Sequence, residues 1–314
     1  MRLVNYLNQS GQTGVGRLIG DKVHGIRGVG TLQELLGDEG ETLMRAGEQA
    51  ERDPAAVLPA NDVRLLPPIR KPPSIRDFYA FEQHVKAGRR SRGLDMVPEW
   101  YEIPVFYFTN PNALSGDGEA IASPPGCEKL DFEVEIAAVV GRNCSNLKVS
   151  EAGSHIVGYM IMNDWSARDL QRKEMLVGLG PAKGKDFAMS IGPCLVTADE
   201  LAPKRKGNGF DLAITASVNG RQYTEANFAD IHWSFEEMLS FASRGTNVMA
   251  GDILGSGTCG TGCISELLLT HGEAAYPWLK AGDQVEISVD MLGVLRNEVK
   301  AGLPLHPLRQ GHTH

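Results

Sequence analysis

The chain has 314 residues and a formal net charge of −8, and 42% of its residues are hydrophobic. The excess of acidic groups excludes partners that need a positive surface, such as nucleic acids and anionic membranes, and no apolar run approaches the roughly 20 residues that span a bilayer. The length fits one large domain and one small domain, and 36 glycines and 17 prolines indicate a turn-rich fold with much β structure.

Neither targeting nor disulfide signals are visible in the sequence. The first residues lack the apolar core of a secretory signal. The five cysteines include no CxxC pair, a pattern typical of reduced thiols rather than of a disulfide framework or a zinc site. We therefore expect a cytoplasmic protein.

Short apolar runs separated by glycine turns fill residues 1–66, with one helix predicted over 31–51. The proline-rich segment 66–74 then predicts a linker, because proline removes a ladder donor and stiffens the chain. This pattern divides the chain into a small β-rich N-terminal domain, 1–70, and a larger domain, 73–314.

The larger domain begins with helical character over 77–92, and further helices are predicted over 166–175 and 234–244. Strands dominate and do not alternate regularly with long helices, which disfavours a doubly wound parallel sheet and favours an α+β fold. The predicted strands contain PVFYF, DFEVEIAAVVG, HIVGYMIM, GPCLVT, DLAITASVNG, DILGSG and QVEISV.

Acidic and apolar residues alternate at the start of one of these strands. Glu133 and Glu135 are two positions apart, so their side chains share a face about 6.5–7 Å apart along the strand. Carboxylate oxygens suit Mg²⁺, Mn²⁺ or Ca²⁺. The alternative is an edge strand whose acids meet water, but the apolar AAVVG that follows favours burial, and a buried carboxylate needs a cation.

A second apolar strand ends in Asn163-Asp164-Trp165-Ser166. Asp164 at this strand end is either a third metal ligand or a helix N-cap, a role that Ser166 could also fill. The spacing alone does not separate the two.

The glycine-rich segment 251–262 contains the pattern G-x-G-x-x-G. A dinucleotide-binding turn would require a long helix here and an acidic residue about 20 positions on. The residues after Gly262 give such a helix little support, and no Lys-Ser/Thr pair follows for a P-loop. We therefore expect neither NAD nor nucleoside triphosphate binding.

These features resemble the fumarylacetoacetate hydrolase family over roughly 73–300. Four landmarks stand in the family's order: the E-x-E strand that starts at Glu133, MNDWSARDLQ at 162–171, GKDF at 184–187, and the turn at 251–262. The resemblance implies a predominantly β catalytic domain of that family's type, a mixed β-sandwich or roll. It also implies a homodimer that binds Mg²⁺, with Mn²⁺ or Ca²⁺ as alternatives.

The resemblance assigns roles to individual residues. Asp77 precedes His84 by seven positions, which in a helix is two turns on nearly one face. Ala87 stands where smaller acylpyruvate-cleaving relatives have the glutamate partner of a lid histidine, a departure that bears on the substrate class. The implied roles are metal ligation by Asp77, Glu133, Glu135 and Asp164, catalysis by His84, Glu266 and Lys185, and substrate binding by Tyr101. Further candidates for binding a substrate carboxylate or keto oxygen follow from position alone: Arg168 and Gln171 share one helix face, and Thr258 lies in the glycine-rich turn.

Most of these residues also have an ordinary structural interpretation. Without the family resemblance, His84 is typical of a surface-exposed or packed histidine and Lys185 of an ordinary surface lysine. Tyr101 and Tyr107 are typical of simple packing. Arg168 and Gln171 could lie on a solvated helix face, and Thr258 could belong to a plain tight turn. The basic stretch after His84 is either a solvated helix face or a lid that attracts an anionic substrate. This stretch contains Lys86, Arg89, Arg90 and Arg92.

The combined expectation is metal-dependent hydrolytic cleavage of a C–C bond in an acylpyruvate or β-diketo acid, as in the catabolism of aromatic compounds. The partner is then a small anionic oxo-acid. A dication spreads the charge of the departing enolate, and a neutral imidazole takes a proton from water. The enzymatic alternative is an isomerase, decarboxylase or hydratase that uses the metal for enolisation of a 2-oxo acid. The non-enzymatic alternative is a metal-stabilised binding protein.

Overall fold

Strands contribute more residues than helices to the computed structural model, which describes residues 1–308. The strands of the first half are β1 (Arg2–Asn8), β2 (Thr13–Ile19), β3 (Lys22–Gly25), β4 (Val57–Pro59), β5 (Val63–Leu66), β6 (Ile75–Phe78), β7 (Phe106–Thr109), β8 (Leu114–Ser115), β9 (Ile121–Ala122), β10 (Leu130–Asp131) and β11 (Val134–Val140). Those of the second half are β12 (Ile156–Asp164), β13 (Ser166–Ala167), β14 (Met189–Thr197), β15 (Arg205–Lys206), β16 (Gly209–Phe210), β17 (Ala213–Val218), β18 (Arg221–Asn227), β19 (Ile253–Gly255), β20 (Gln284–Val289) and β21 (Gly293–Lys300).

The helices are short and lie between the strands. In residues 1–308 none has the length and apolarity that a membrane span requires. The α-helices are α1 (Glu41–Arg52), α2 (Glu82–Arg90), α3 (Val149–Ala152), α4 (Arg168–Leu176), α5 (Ala198–Leu201), α6 (Phe235–Ala242) and α7 (Ile264–His271).

One mixed sheet of twelve strands runs through the molecule. Its order is β4-β3-β2-β1-β14-β12-β11-β19-β6-β7, with β5 paired to β1 and β8 paired to β14. A second sheet has the order β18-β17-β20-β21-β9, and β10–β13 and β15–β16 form two small ribbons. The predicted α+β, predominantly β fold is therefore confirmed.

The N-terminal strands belong to this large sheet. Strand β1 pairs antiparallel with β14, with Leu3 opposite Leu195, and both leucines are fully buried in one apolar cluster. The predicted division into 1–70 and 73–314 stays a prediction, and the two segments share one sheet and part of one core.

Strands β11 and β12 form the buried centre of the large sheet. They pair antiparallel, with Glu135 opposite Met162, and every residue of both strands is buried. Glu133, directly before β11, is also buried. The alternative in which these acids lie on a water-facing edge strand is wrong, because β11 is covered on both edges by β12 and β19.

Two of the predicted helices were wrong in extent. The helix predicted over 31–51 is a 3₁₀ turn at Leu32–Leu35 followed by α1. Gly37 and Gly40 separate the two with φ of 130° and 93°, values that a right-handed helix excludes.

The helical character predicted for 77–92 is also wrong at its start. Asp77 lies on strand β6, which pairs with β7 on one side and with β19 on the other. The helix α2 that carries His84 begins at Glu82. Hydrogen bonds on both edges of β6 outweigh the local helical pattern, so Asp77 and His84 are not neighbours on one helix face.

The apolar run after Gly262 forms helix α7, which the sequence pattern barely supported. The backbone N–H groups of Ile264 and Ser265 donate to the carboxylate of Asp131 at 2.7 and 3.0 Å. This distant cap starts the helix, and a local pattern cannot reveal it. The helix has eight residues and β19 pairs parallel with β6, so the glycine turn does not open the long helix of a dinucleotide fold.

The helices predicted over 166–175 and 234–244 are confirmed as α4 and α6, within two residues at each end. Ser234 caps α6 in a capping box with Glu237. By contrast, the N-cap residue of α4 is Ala167, and no side chain caps this helix. Neither Asp164 nor Ser166 therefore caps α4, so the capping interpretation is wrong, and metal ligation by Asp164 stays a prediction.

Asn5→Ala should destabilise the junction between the N-terminal segment and the large sheet. The buried Asn5 amide donates to the carbonyls of Pro67 and Pro68 and accepts from the Leu32 N–H. Leaving these groups without partners should lower the free energy of unfolding by about 3 kcal/mol. Urea unfolding measures the change.

Asn61→Ala is the matched control, because Asn61 is exposed. Its effect should stay within about 0.5 kcal/mol. Equal effects of the two substitutions would show that the Asn5 hydrogen bonds do not hold the junction.

Candidate metal and catalytic site

Three carboxylates from neighbouring strands converge inside the large sheet. Asp77 on β6, Glu135 on β11 and Asp164 at the end of β12 each place one oxygen within 4.8 Å of the other two. Their exposed fractions are 2%, 1% and 0%. The strand order β12-β11-β19-β6 brings them together, although Asp77 is far from the other two in sequence.

Gly255 on β19 makes room for this cluster. It lies opposite Asp77 in the β19–β6 pair. A Cβ atom at this position would lie 2.6 Å from Asp77 Oδ1 and 3.0 Å from Glu135 Oε2. The strand between the carboxylates therefore needs a residue without a side chain, so one glycine of the glycine-rich segment serves the acidic cluster.

The cluster has the chemistry of a hard-metal site. Asp77 Oδ1, Glu135 Oε1 and Asp164 Oδ1 are buried and lack a hydrogen-bond partner in the described chain. Burial raises the pKa of Asp77 and Glu135 well above their usual values, and repulsion from neighbouring carboxylates raises both further. Buried oxygens of like charge fit a dication such as Mg²⁺, which prefers oxygen ligands.

Glu133 lies beside the cluster but contacts cations of the protein. Its Oε1 accepts from Arg168 Nη2 at 2.7 Å, and its Oε2 accepts from Lys185. Burial opposes the ionised form of Glu133, but Arg168 and Lys185 outweigh it and hold its pKa far below the usual value. Lys185 Nζ also lies 2.5 Å from Asp164 Oδ2. Lys185 thus connects Glu133 to the three-carboxylate cluster.

The loop that carries Lys185 packs closely on helix α4. A Cβ atom at Gly184 would lie 2.7 Å from the Gln171 nitrogen, and the Gly184 carbonyl accepts from the Ala167 N–H at 2.8 Å. Glycine at 184 therefore allows the approach that places the ammonium group of Lys185 in the site, where it is 4% exposed.

Arg168 is held by a residue to which the sequence analysis gave no role. Its Nε donates to Asp131 Oδ2 at 2.8 Å, and Asp131 is fully buried. Gln171 Oε1 lies 3.4 Å from Arg168 Nη1. Asp131 shares the alternation of acids with Glu133 and Glu135, which was the signal in the sequence that could have identified it.

His84 and Glu266 form a hydrogen-bonded pair next to the carboxylates. His84 Nδ1 lies 3.0 Å from Glu266 Oε2, and Glu266 Oε1 accepts from the Thr261 N–H at 2.9 Å. The other ring nitrogen, Nε2, lies 3.9 Å from Glu133 Oε1. Glu266 therefore holds the imidazole through Nδ1, and Nε2 lies on the side of Glu133.

Comparison with known proteins identifies the family. The model of the C-terminal domain of fumarylacetoacetate (FAA) hydrolase matches residues 74–300. The chain belongs to the fumarylacetoacetate hydrolase family. The match covers the carboxylates, Lys185 and the His84–Glu266 pair, and it confirms the resemblance seen in the four motifs.

Relatives within the fumarylacetoacetate hydrolase family carry different activities in their names. The fumarylacetoacetase of Arabidopsis thaliana is 31% identical over 268 residues, which are 68% of this chain and 63% of the plant protein. The chain thus spans less than two thirds of that relative. The mitochondrial oxaloacetate tautomerase of Bos taurus is 28% identical over 274 residues, with 86% of this chain and 79% of the bovine protein covered.

A solved structure of the family shows the same architecture. Fumarylacetoacetate hydrolase from the psychrophilic Exiguobacterium antarcticum has a TM-score of 0.75 and 25% sequence identity, and the comparison covers 96% of this chain and 100% of that one. The predicted family-type fold is therefore confirmed.

Tyr107 has a more specific place than packing. Its hydroxyl donates to Asp164 Oδ2 at 2.6 Å, the same oxygen that Lys185 contacts. The packing interpretation of Tyr107 is thus incomplete, because Asp164 turns one oxygen to Tyr107 and Lys185 and the other to the cluster. The sequence contains no local signal for this contact between β7 and β12.

The remaining predicted substrate residues occupy different surroundings. Thr258 is buried in the turn between β19 and α7. Tyr101 is 41% exposed, its hydroxyl donates to Glu82, and its ring packs edge-on against Trp100. The structure gives Tyr101 a contact with the start of α2, and substrate binding by Thr258 and Tyr101 stays a prediction.

Glu135→Gln should separate two properties of the acidic cluster: the repulsion that destabilises the metal-free protein and the binding of Mg²⁺. In EDTA the variant should be more stable than the wild type, because one of three repelling buried carboxylates becomes neutral. Mg²⁺ at about 100 times Kd should stabilise the wild type by about 2.7 kcal/mol and the variant far less. Thermal unfolding with EDTA or Mg²⁺ measures both effects.

The pH dependence supplies the check on this prediction. A carboxyl whose pKa is raised by folding stabilises the protein at low pH and loses that contribution as the pH rises through the raised value. The metal-free wild type should therefore lose stability above the ordinary carboxyl pKa, and Glu135→Gln should lose less. The control is Glu298→Gln, at an exposed position of β21. If Mg²⁺ stabilises Glu135→Gln as strongly as this control, the cluster is not the metal site.

Proposed function

We propose that this protein hydrolyses a C–C bond in an acylpyruvate or β-diketo acid and requires a divalent cation, Mg²⁺ in the first instance, with Mn²⁺ or Ca²⁺ as alternatives. The single observation that carries the proposal is the His84–Glu266 pair at 3.0 Å, with the free ring nitrogen directed to the carboxylate centre. Enolisation needs a cation and an anion-binding site, whereas hydrolysis also needs a group that activates water.

The pair has the arrangement of a general base with an orienting carboxylate. Glu266 accepts from the Nδ1–H of His84 and so leaves the Nε2 lone pair facing the site. When Nε2 takes a proton from water, the imidazolium lies between the carboxylates of Glu266 and Glu133. Both negative charges stabilise it.

Asp77, Glu135 and Asp164 would hold the cation, with Glu133 beside them. When bound, the cation supplies Lewis acidity to the neighbouring oxygens of the oxo-acid end of the substrate. Lys185 adds a fixed positive charge next to Asp164 and Glu133. That ammonium group lies in a buried site, where it favours the negative charge that develops on the departing fragment.

The bonds formed and broken in the proposed reaction balance, and His84 carries the proton between the two steps. His84 removes a proton from water, and the water oxygen forms a bond to the carbonyl carbon. The C–C bond then breaks, and its electron pair remains on the departing fragment as an enolate. The proton held by His84 returns to the enolate carbon, so the products are a carboxylic acid and a ketone, and the histidine is neutral again.

The cavity next to the pair suits an anionic substrate. It has a volume of about 620 Å³, lies between α2 and α7, and includes Lys86, Arg90 and Glu266 in its lining. Lys86, which pairs with Glu82 at 2.8 Å, and Arg90 bring positive charge to this lining, which supports a small anionic oxo-acid as the substrate. We further propose a cytoplasmic homodimer that acts in the catabolism of aromatic compounds.

The second candidate function is enolisation of a 2-oxo acid, by an isomerase, decarboxylase or hydratase. Its support is the bovine relative, which is named an oxaloacetate tautomerase. The carboxylate cluster serves both reactions, so it does not distinguish them. The water-activating pair favours hydrolysis, and substitution of His84 tests the choice.

His84→Ala should abolish cleavage of an acylpyruvate, with kcat lowered by about 10²–10⁴, because general base catalysis contributes about that factor. Enol–keto exchange of the same substrate should survive, since the carboxylates remain. Cleavage is followed by loss of the diketo absorbance, and exchange by incorporation of deuterium from solvent.

Glu266→Gln serves as the partner variant and should fall between His84→Ala and the wild type. His24→Ala is the matched control, because His24 lies on β3, which β2, β1 and β14 separate from β12 in the large sheet. If no acylpyruvate is cleaved by the wild type while a 2-oxo acid tautomerises rapidly, enolisation is the native reaction.

Lys185→Met should lower kcat without weakening the binding of the cation. Lys185 Nζ competes for Asp164 Oδ2, and its charge repels a dication, so Mg²⁺ affinity is expected to stay equal or to rise. Isothermal titration gives the affinity and steady-state assays give kcat. An unaltered kcat would remove Lys185 from the mechanism, and a large loss of Mg²⁺ affinity would contradict the competition.

A further inference from the structure

A second group of potential ligands lies on the far side of His84 from Glu133. Cys263, directly before α7, places Sγ 4.0 Å from His84 Nδ1, and Glu266 Oε2 lies 3.0 Å from the same nitrogen. One ligand atom from each of the three residues lies within 4.8 Å of the other two. The thiol has no part in the hydrolysis proposed above.

We propose that Cys263, His84 and Glu266 form an inhibitory site for a thiophilic dication such as Zn²⁺. Thiolate, imidazole and carboxylate are the ligands that Zn²⁺ takes in proteins, in tetrahedral geometry. Ordinary Zn–ligand bond lengths set neighbouring ligand atoms about 3.3–3.6 Å apart, so the observed 4.0 and 3.0 Å require only small shifts.

Ligand chemistry separates this site from the three-carboxylate cluster. Asp77, Glu135 and Asp164 offer oxygen alone and select hard ions such as Mg²⁺. The Cys263 site offers sulfur and nitrogen as well, and these donors favour Zn²⁺. The cysteine spacing in the sequence predicts no zinc site, and only the fold brings Cys263 to a histidine of α2.

The site can be reached and can accommodate a positive charge. Glu266 lines the cavity between α2 and α7, so an ion would approach the three ligands from the side of Glu266. The ionised thiolate and Glu266 would together balance the two charges of the ion. Burial raises the pKa of the Cys263 thiol well above its usual value, so the thiol is neutral and unreactive until a cation displaces its proton.

Binding at this place would stop catalysis through the histidine tautomer. In the hydrolytic form Nδ1 carries the proton that Glu266 accepts, and Nε2 is free. An ion on Nδ1 requires that lone pair, so the proton moves to Nε2. His84 then cannot accept a proton from water. This inhibition rests on the proposed function, whereas the binding of Zn²⁺ does not.

The test compares the wild type, Cys263→Ser and the control Cys144→Ser, whose cysteine is partly buried in another part of the fold. Each enzyme is saturated with Mg²⁺ and titrated with Zn²⁺, and acylpyruvate cleavage is expressed relative to its own rate without Zn²⁺. The wild type and Cys144→Ser should be inhibited alike. Cys263→Ser should need at least about tenfold more Zn²⁺.

Co²⁺ gives a readout that does not depend on turnover. The absorption band of charge transfer from thiolate to cobalt should appear in the wild type and in Cys144→Ser, and it should be absent from Cys263→Ser. If the wild type lacks the band, if Cys263→Ser keeps it, or if all three proteins respond equally to Zn²⁺, the proposal is overturned. If the band depends on Cys263 but the wild type cleaves no acylpyruvate, the proposed function fails and the metal site stands.

Discussion

The concentration of carboxylates inside the large sheet is the constraint on which the site depends. Asp77, Glu135 and Asp164 are at most 2% exposed and converge within 4.8 Å. Such a set is unfavourable in water-free surroundings unless a cation offsets it. The carboxylates cannot separate, because the ladders of β12, β11, β19 and β6 fix their backbones. The fold therefore concentrates negative charge at one buried point, where positive charge stabilises it.

The protein offsets part of this negative charge with its own cations and leaves part without a partner. Arg168 and Lys185 contact Glu133, and Lys185 also contacts Asp164. Three oxygens of the cluster remain without a hydrogen-bond partner in residues 1–308. This division separates the fixed positive charge, which can face a substrate anion, from the place where a dication would bind. Glu133 and Asp164 lie at the boundary between the two.

Local sequence patterns predicted the parts of the site that depend on single strands. The alternation around Glu133 and Glu135 and the apolar run after it predicted a buried acidic strand, as observed. Asp77 was expected on a helix, because the pairing of β6 with two distant strands leaves no trace in its own sequence. The contact of Tyr107 with Asp164 is equally nonlocal. The family resemblance supplied Asp77, His84 and Glu266 as candidates where periodicity could not.

Asp131 links Arg168 to the His84–Glu266 pair. Its carboxylate binds Arg168 and also accepts from the first backbone N–H groups of α7, those of Ile264 and Ser265. Glu266 follows directly in that helix and holds His84. A displacement of Asp131 would therefore move the guanidinium group and the base together. One buried carboxylate thus sets the distance between the Arg168 guanidinium and the His84 imidazole, so the geometry of the proposed reaction depends on a residue that donates no hydrogen bond to either the carboxylate cluster or the histidine.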